Sequence, residues 1–485
     1  MFNKDNPAFH EAAKSNQPVV ALFVVAPGEW KRHKLSGLKV DFILRSVKAL
    51  QQDLAKLNVP LIVRTAAKFA DVQNVVSDVV EKLQPSNVYW NEEYEVNESR
   101  RDLALKDKFT AMGIRVFTGM SQLIVEPGLI TTAEGKTYKV FTPYKNSWIR
   151  VVQSNAKLLQ LLPVPATIQD SLPHSISEYI KANSDVPDTI SGDEFFVVDE
   201  EVLKTARLDF PAGEAEARSK LNNFISQRGR DYKQNRDFPG KHGTSKLSTY
   251  FAVGAISPRE AVALAKSANN NRLDSGNEGL DVWISEVIWR EFYRNILIFF
   301  PQVCMNRAFK PDTDAVEWNY DKELFQKWCE GKTGFPIVDA AMRQLNTTGW
   351  MHNRLRMIVA MFLTKDLLID WRWGEEYFMK KQIDGDFASN NGGWQWASST
   401  GTDSQPYFRV FNPLNQSQKF DPDGSFIRKF VPELASLKAP AVHDPFKNLA
   451  KDAFAKLKYP VPIVDHSAAR KRCIDAFKKA AGKAI

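Results

Sequence analysis

Long apolar runs are missing from this 485-residue sequence. The longest, Val19–Ala26 and Met357–Leu363, fall well short of the about 18 residues that a membrane helix needs. The first residues, MFNKDNPAFHEAAKSNQ, are too polar for a signal peptide. The 3 cysteines are too few and too scattered for a disulfide framework or a cysteine-rich zinc site. We therefore expect an intracellular, non-secreted protein with no membrane segment.

Familiar signatures of nucleotide and metal sites are missing as well. No GxGxxG fingerprint occurs, and the P-loop-like Gly331-Lys332-Thr333 has Gln326 where that loop needs its first glycine. Metal-ligand spacings such as HExxH are absent, so we predict no metal. Any nucleotide cofactor must therefore be bound by an unusual site.

Charge is unevenly distributed along the chain. The net charge is +8, yet residues 170–201 contain nine acidic residues and a single lysine, Lys181. The rest of the chain is therefore more basic than the total suggests. A basic surface of this kind suits binding to a polyanion such as nucleic acid, although a basic protein without that partner fits the charge equally well.

The length of 485 residues indicates at least two compact units. Apolar runs that alternate with helical periodicity over residues 19–117 predict an α/β domain with a parallel, doubly wound sheet. A helix signal opens the chain, with Asp5 as its cap and Pro7 in its first turn, and no strand precedes it. We predict domains at 1–125 (α/β), 126–200 (linker) and 201–485 (helical).

Tryptophan is concentrated in one part of the chain. Nine of the 12 tryptophans lie within residues 283–396. They are Trp283, Trp289, Trp318, Trp328, Trp350, Trp371, Trp373, Trp394 and Trp396. A large aromatic core explains most of them, but indole rings also stack on bases and flavins and transfer electrons.

Three polar segments are candidates for ligand binding. IDGDFASNNGGWQW (383–396) sets short carboxylates and amides on a turn, and it lacks the EF-hand spacing. RGRDYKQNRDFPGKHGTSKLS (228–248) offers hydroxyls and amides to phosphates. GWMHNRLRM (349–357) alternates arginine with apolar residues, and its His352 fits a structural role better than a catalytic one. For residues 383–396, a plain capped turn is an alternative to a ligand-binding loop.

Four stretches resemble the photolyase family. They are WISEVIWREFYRN (283–295), EGKTGFPIVDAAMRQLNTTGWMHNRLRM (330–357), DGDFASNNGGWQWASSTGTDSQPYFRVFNP (384–413) and NEEYEVNESRRD (91–102). The likeness covers essentially the whole chain and is strongest to class I cyclobutane pyrimidine dimer photolyases. It implies an N-terminal α/β domain, a long linker, and a C-terminal helical domain that holds U-shaped FAD.

The resemblance also implies the site residues. FAD contacts would be Tyr232, Thr244, Ser245, Lys246, Leu247, Ser248, Arg290, Asn353, Arg356, Asp384, Asp386 and Asn390. Asn390 would lie beside flavin N5 and favour the reduced flavin. The lesion pocket would contain Glu286, Trp289, Asn353, Met357 and Trp396. The DNA phosphates that flank the lesion would be bound by Arg236, Arg354 and Arg409. Trp394, Trp371 and Trp318 match the series of tryptophans through which the family photoreduces oxidised FAD.

The implied reaction is light-driven repair of UV-damaged DNA by a carbon–carbon lyase. The dimer would be flipped out of the duplex, which costs a few kcal/mol. Reduced FAD, excited by blue or near-UV light, would then give one electron to the dimer, whose cyclobutane ring splits before the electron returns. The cofactor supplies this chemistry and the protein supplies orientation and electrostatics.

Two features bear on a second, light-harvesting chromophore. A methenyltetrahydrofolate antenna is implied at His33, Asn97, Glu98 and Cys304, although Met305 replaces a lysine of folate-binding relatives. The family begins with a strand and an Arg-bearing turn that this chain lacks ahead of DNPA. We therefore expect a weakened α/β domain and low antenna occupancy.

Three other functions are weighed against repair. A cryptochrome-type photoreceptor of the same fold would lack repair, but Glu286, Trp289 and Met357 favour repair. Repair of six-four photoproducts is disfavoured because those relatives carry histidine at the position of Asn353. A non-enzymatic DNA-binding protein leaves residues 383–396 unexplained. We expect a monomer, in the cytoplasm of a prokaryote or in the nucleus or mitochondria of a eukaryote.

Overall fold

The computed structural model describes residues 3–15, 17–168, 172–190 and 192–483. The chain divides into two compact units. The first contains residues up to 198, 207–230 and 245–301, and the second contains 199–206, 231–244 and the residues from 302 onward. The predicted linker 126–200 thus falls almost wholly inside the first unit, and the predicted domain boundaries stay a prediction.

Helices dominate both units. Those that begin before residue 270 are α1 (Pro7–Ala13), α2 (Pro27–Arg32), α3 (Gly37–Ala55), α4 (Phe69–Leu83), α5 (Val96–Ala111), α6 (Phe141–Ser154), α7 (His174–Lys181), α8 (Glu200–Asp209), α9 (Glu214–Gln227), α10 (Tyr232–Asn235), α11 (Ser248–Ala252) and α12 (Pro258–Ala268). The later ones are α13 (Glu278–Phe299), α14 (Lys322–Glu330), α15 (Pro336–Thr348), α16 (Asn353–Met361), α17 (Trp371–Lys381), α18 (Phe387–Ser398), α19 (Pro413–Phe420), α20 (Ser425–Phe430), α21 (Pro445–Asn448), α22 (Lys451–Lys456) and α23 (His466–Lys483).

The strands of the first unit pair in parallel, as the alternating pattern predicts. They are β1 (Ala21–Val25), β2 (Leu61–Thr65), β3 (Asn87–Asn91) and β4 (Arg115–Gly119). β1 pairs with β2 and β3 pairs with β4, and a helix follows the first strand of each pair, as parallel connections require. The predicted class, an N-terminal α/β part with parallel strands plus a C-terminal helical part, is confirmed.

The parallel sheet is divided into two pieces. In the described residues β1 and β3 pair with no further strand, so each has one open edge. The side chains of β3 and most of β1 are only half-buried, whereas Leu61–Val63 in β2 are buried. No strand precedes α1 within the described part of the chain, in agreement with the sequence pattern.

The first helix is capped by Asn6 rather than by Asp5. The Asn6 side chain accepts a hydrogen bond from Phe9 N at 3.1 Å. Asp5 has a left-handed backbone with φ of 62° and is fully buried. Its carboxylate accepts hydrogen bonds from the Ser257 hydroxyl and from Arg259 Nη1, the latter at 2.7 Å. Two adjacent cap-type residues look alike in sequence, and tertiary partners decide between them.

The second unit is built around one large apolar core. Trp328, Trp371, Met342 and Leu363 are among its fully buried members. Apolar residues at helical spacing predict one helix over 353–368, but α16 ends at Met361 and a π-helical turn follows over Phe362–Asp366. Within the described residues no helix has both the length and the apolar character to cross a membrane.

Candidate functional site

The predicted site residues divide between the two compact units, and each group is described within its own unit. The first unit holds Ser245–Ser248, Glu286, Trp289 and Arg290, together with the antenna candidates His33, Asn97 and Glu98. The second unit holds the remainder. They are Tyr232, Thr244, Arg236, Cys304, Trp318, Asn353, Arg354, Arg356, Met357, Trp371, Asp384, Asp386, Asn390, Trp394, Trp396 and Arg409.

One face of α13 carries three of the candidates. Glu286, Trp289 and Arg290 are spaced i, i+3 and i+4, which places them side by side, and all three are half-buried. Trp289 stacks on Phe141 with ring centroids 3.7 Å apart and planes 12° from parallel. The stack fixes the indole and covers one of its faces, as an apolar wall for a ligand requires.

The opposite side of α13 is anchored by a buried carboxylate. Glu291, 2% exposed, accepts hydrogen bonds from Ile124 N, Val125 N and Trp148 Nε1 at 2.8 to 3.1 Å. Burial raises the pKa of Glu291 above its usual range. Arg290 Nη1 donates to the carbonyl oxygen of Gln122 at 2.6 Å. These contacts fix how α13 is rotated, and hence which face presents Glu286.

The segment Ser245–Ser248 makes a turn ahead of α11. Lys246 has φ of 53°, in the left-handed region that few non-glycine residues adopt. Its Nζ lies 3.2 Å from Asp209 Oδ2. Ser245 Oγ accepts from Trp283 Nε1 at 3.4 Å, while Ser248 is exposed. The turn therefore presents a hydroxyl and a cation next to each other, which is suitable chemistry for phosphate.

An ion pair holds the turn between α17 and α18 in the second unit. Arg356 Nη2 donates to both carboxylate oxygens of Asp384, at 3.0 and 2.8 Å, and Arg356 Nε donates to the carbonyl oxygen of Met351. Asp386 caps α18 by accepting from Ser389 N at 3.0 Å. The turn is therefore capped, as one of the two interpretations predicts, and its role as a ligand-binding loop stays a prediction.

Two adjacent amides of α18 are fixed by one residue of α17. Asn390 Nδ2 donates to the carbonyl oxygen of Glu375 at 3.0 Å, and Asn391 Nδ2 donates to Glu375 Oε1 at 3.0 Å. Burial raises the pKa of Glu375 to about 7. Because its amide nitrogen is engaged, Asn390 has its Oδ1 to offer a ligand as an acceptor. Glu375 is a positioning residue that the sequence analysis missed.

The start of α16 is capped by a buried histidine. His352 Nδ1 accepts from Arg354 N at 3.1 Å, so the neutral ring carries its proton on Nε2, a buried atom without a partner. Burial lowers the pKa of His352 to about 4. Asn353 is exposed and Met357, one turn later, is half-buried. The predicted structural role of His352 is supported by this cap.

The three arginines predicted to bind phosphates differ in their surroundings. Arg354 Nη2 donates to Asp237 Oδ1 at 2.9 Å and its guanidinium lies 4.4 Å from the Phe420 ring centroid. Arg236 lies over Tyr232 at 5.4 Å. Arg409 is exposed. Asp237, which was not predicted, already pairs with Arg354, so binding a phosphate there requires competition with a carboxylate.

The tryptophans predicted to carry electrons lie in the core of the second unit. Trp394 is 2% exposed, Trp371 fully buried and Trp318 8% exposed. Trp394 has Phe378 and Trp328 as edge-to-face neighbours at 4.9 and 6.0 Å. The Arg372 guanidinium lies 4.7 Å from the Trp371 ring centroid. Trp396 is half-buried at the edge of the same core.

An acidic cluster in the first unit contains two of the four antenna candidates. One ligand-type atom from each of Glu29, His33 and Glu98 lies within 4.8 Å of the others. Burial, with Glu98 adding to it, raises the pKa of Glu29 to about 8, and burial lowers the pKa of His33. Asn97 is half-buried beside Glu98 in sequence. Glu29 was not predicted.

Comparison with known proteins gives consistent likenesses along the whole chain. Residues 3–166 match a family model described as DNA photolyase, and residues 283–479 match one described as the FAD binding domain of DNA photolyase. A deoxyribodipyrimidine photo-lyase of Vibrio cholerae is 42% identical over 99% of this chain and 97% of its own. One of Escherichia coli is 40% identical, covering 98% and 96% respectively.

A solved structure agrees with these sequence matches. The bacterial class III photolyase of Agrobacterium tumefaciens superposes with a TM-score of 0.84 at 33% identity, over 99% of this chain and 95% of that one. Since relatives at 40% identity and above align over nearly their full length, the chain belongs to the DNA photolyase family.

Proposed function

We propose that this protein is a class I deoxyribodipyrimidine photo-lyase, which splits cyclobutane pyrimidine dimers in UV-damaged DNA with light and FAD. The observation that carries the proposal is the nearly full-length likeness to proteins named deoxyribodipyrimidine photo-lyase at 40 to 42% identity, and the assignment to class I rests on the motif resemblance. The match of residues 283–479 to an FAD binding domain supports the cofactor. We further propose a monomer that works where the DNA is, in a prokaryotic cytoplasm or in a eukaryotic nucleus or mitochondrion.

The residues of each unit fit parts of FAD. In the second unit, the Arg356–Asp384 pair and the fixed amide of Asn390 offer donors and acceptors suited to the polar edge of a flavin. In the first unit, Lys246 and Ser248 offer a cation and an exposed hydroxyl suited to a diphosphate. When bound, reduced and excited by light, FAD supplies the electron for ring splitting.

The lesion would be recognised by apolar walls with one carboxyl group. Trp289 has one face covered by Phe141, so a flipped-out dimer would lie against an indole that is already held in place. Glu286, one turn earlier on α13, would hydrogen-bond the polar edge of the dimer. The family resemblance also assigns Met357 and Trp396, both half-buried, to binding of the dimer. Flipping is cheapest for a damaged pair, which favours the lesion over intact DNA.

Asn390 would tune the flavin. Its Nδ2 is bound to the Glu375 carbonyl oxygen, so its Oδ1 is the amide atom offered to a ligand N–H. An acceptor at that place favours a flavin that carries a proton on the facing nitrogen, which is the reduced state. Trp394, Trp371 and Trp318 would return oxidised FAD to that state under light.

We also propose that a methenyltetrahydrofolate antenna uses His33, Asn97, Glu98 and Cys304. Support comes from the family resemblance and from the buried carboxylate of Glu98. The exposed Met305, which replaces a lysine of folate-binding relatives, weakens that site. We expect substoichiometric folate in the purified protein.

A repair assay tests the proposed function. The purified full-length protein, reduced with dithionite, would be illuminated with an oligonucleotide that carries one thymine cyclobutane dimer. We expect intact thymines to return in light and not in darkness, and no change of an oligonucleotide that carries a six-four photoproduct. A flavin absorbance band without dimer repair would overturn the proposal in favour of a cryptochrome-type receptor.

A further inference from the structure

A small polar cluster in the first unit is left over after the proposed FAD chemistry has been assigned. Glu29 lies in the first turn of α2 and His33, four residues later, is its C-cap, which directs both to one side. Glu98 lies in the first turn of α5, and His33 Nδ1 is 3.9 Å from Glu98 Oε1. That separation is too long for a hydrogen bond.

Glu98 is buried with one oxygen unsatisfied. The residue is 8% exposed, and Oε2 is inaccessible to solvent and has no hydrogen-bond partner. A buried carboxylate oxygen without a donor is costly, so such atoms ordinarily have a protein, water or metal partner. The unsatisfied carboxylate belongs to the cluster with Glu29 and His33.

Arg101, the arginine whose charge acts on Glu29, is engaged elsewhere. Arg101 Nη2 lies 2.6 Å from Glu93 Oε2 and 2.7 Å from Asp102 Oδ1, so its charge is already shared between two other carboxylates. Glu29 and Glu98 lie close enough to share a proton. A cation bound between them would replace that proton and satisfy both carboxylates.

We propose that Glu29, His33 and Glu98 form a binding site for a divalent transition-metal cation of the Zn²⁺ type. Two carboxylate oxygens and one imidazole nitrogen are a ligand set that zinc accepts, and three protein ligands leave a fourth position for water. The imidazole favours zinc or a similar metal over Mg²⁺ and Ca²⁺, which prefer oxygen ligands alone.

The distances suit such an ion after a small adjustment. Ligand atoms about 2.1 Å from a tetrahedral zinc are about 3.4 Å from one another. The three atoms now lie within 4.8 Å of one another, so a movement of the order of 1 Å per side chain would complete the site. Sequence alone predicts no metal here, because Glu98 lies 65 residues after His33 and no local motif joins them.

The cation and the proposed folate are alternative occupants, since both need the Glu98 carboxylate. The inference concerns the chain without folate and does not rest on the repair activity. Its failure would leave the proposed function intact.

Zinc binding by the full-length protein tests the site. Protein freed of folate would be titrated with Zn²⁺ alone in competition with a chromophoric chelator. We expect one equivalent to bind, and Glu29→Gln, His33→Gln and Glu98→Gln each to weaken binding at least tenfold. Asp107→Asn, which alters an exposed carboxylate on the same α5 helix, is the matched control and should bind like the parent. Equal affinity in all four variants, or no saturable binding, would overturn the proposal.

A spectroscopic measurement guards against variants that fail to fold. X-ray absorption of the zinc-loaded parent should show oxygen and nitrogen neighbours, with one imidazole and no sulfur. A shell that contains sulfur would place the metal at a cysteine instead and would overturn the proposal. Mg²⁺ and Ca²⁺ at the same concentration should not displace the zinc.

Discussion

Gly374 lies directly against the six-membered ring of Trp394. A Cβ atom built at Gly374 would overlap three carbon atoms of that ring, so α17 can approach α18 this closely only because residue 374 has no side chain. The contact fixes the plane of the tryptophan that the family resemblance places next to the flavin. A backbone position on one helix thereby controls the orientation of a candidate electron donor on the next.

A methyl group at Gly374 should therefore displace the indole. We expect Gly374→Ala to destabilise the protein by about 1–3 kcal/mol, the usual penalty for overpacking a filled core. Gly393→Ala is the control, because a Cβ there meets nothing within 4 Å and alanine favours a helix. Urea unfolding followed by tryptophan fluorescence would measure both. Equal stability of the two variants would contradict the overlap.

Photoreduction should depend on Trp394. We expect Trp394→Phe to abolish light-driven reduction of oxidised FAD, because phenylalanine fills most of the space but is far harder to oxidise. Protein reduced chemically beforehand should still repair dimers. Trp373→Phe, which alters a half-buried tryptophan of the same core, should photoreduce normally. Flavin absorbance under steady illumination, with an external thiol present, follows the reaction. Parental photoreduction in Trp394→Phe would exclude its assigned role.

Repair should depend on Glu286 at a step other than cofactor binding. We expect Glu286→Gln to retain FAD and to repair fewer dimers per absorbed photon, since the carboxyl group would hydrogen-bond the dimer rather than the flavin. Glu278→Gln alters an exposed residue of the same α13 helix and should match the parent. The measurement is dimer loss per photon absorbed by reduced flavin. A Glu286→Gln yield equal to that of the control would count against the assignment.

Stability should vary with pH through Glu375. Burial raises its pKa from an ordinary 4.5 to about 7, so the folded state holds its proton more tightly than the unfolded state. That contribution is complete at low pH and is lost as pH rises through about 7. Glu375→Gln stays neutral at every pH. Relative to the parent, we expect it to gain about 2 kcal/mol in free energy of unfolding between pH 5 and pH 8.

Paired urea titrations of parent and Glu375→Gln at both pH values would measure this gain. A difference between the two proteins that does not change with pH would show that Glu375 is ionised at both.

Local periodicity predicted elements well and tertiary partners poorly. The pattern over Phe69–Leu83 predicts α4 to the residue, because its apolar positions repeat every three or four residues. The helix predicted from Asn353 ends early, because a π-helical turn satisfies the same apolar pattern over Phe362–Asp366. Periodicity reports which residues face the core, and it is insensitive to a single inserted residue in a turn.

Residues that position other residues escaped the sequence analysis. Asp237 pairs with Arg354 and lies in the candidate segment 228–248, where nothing in the sequence singles it out, whereas Glu375, which fixes Asn390, lies outside all the candidate segments. Glu29 joins His33 and Glu98 through the packing of two helices. Family resemblance assigns residues that would contact a ligand. The groups that orient them, such as the Asp237 carboxylate and the Glu375 main-chain carbonyl, become visible only when distances are known.

The buried Asp5 has a consequence for the timing of synthesis. Its partner Arg259 is 254 residues later in the chain. At about 5–20 residues per second, a ribosome needs on the order of ten seconds or more to reach that arginine after it has made Asp5. Throughout that interval the carboxylate has no final partner, so it must stay hydrated. The segment that contains Asp5 is thus synthesised well before it can reach its native position.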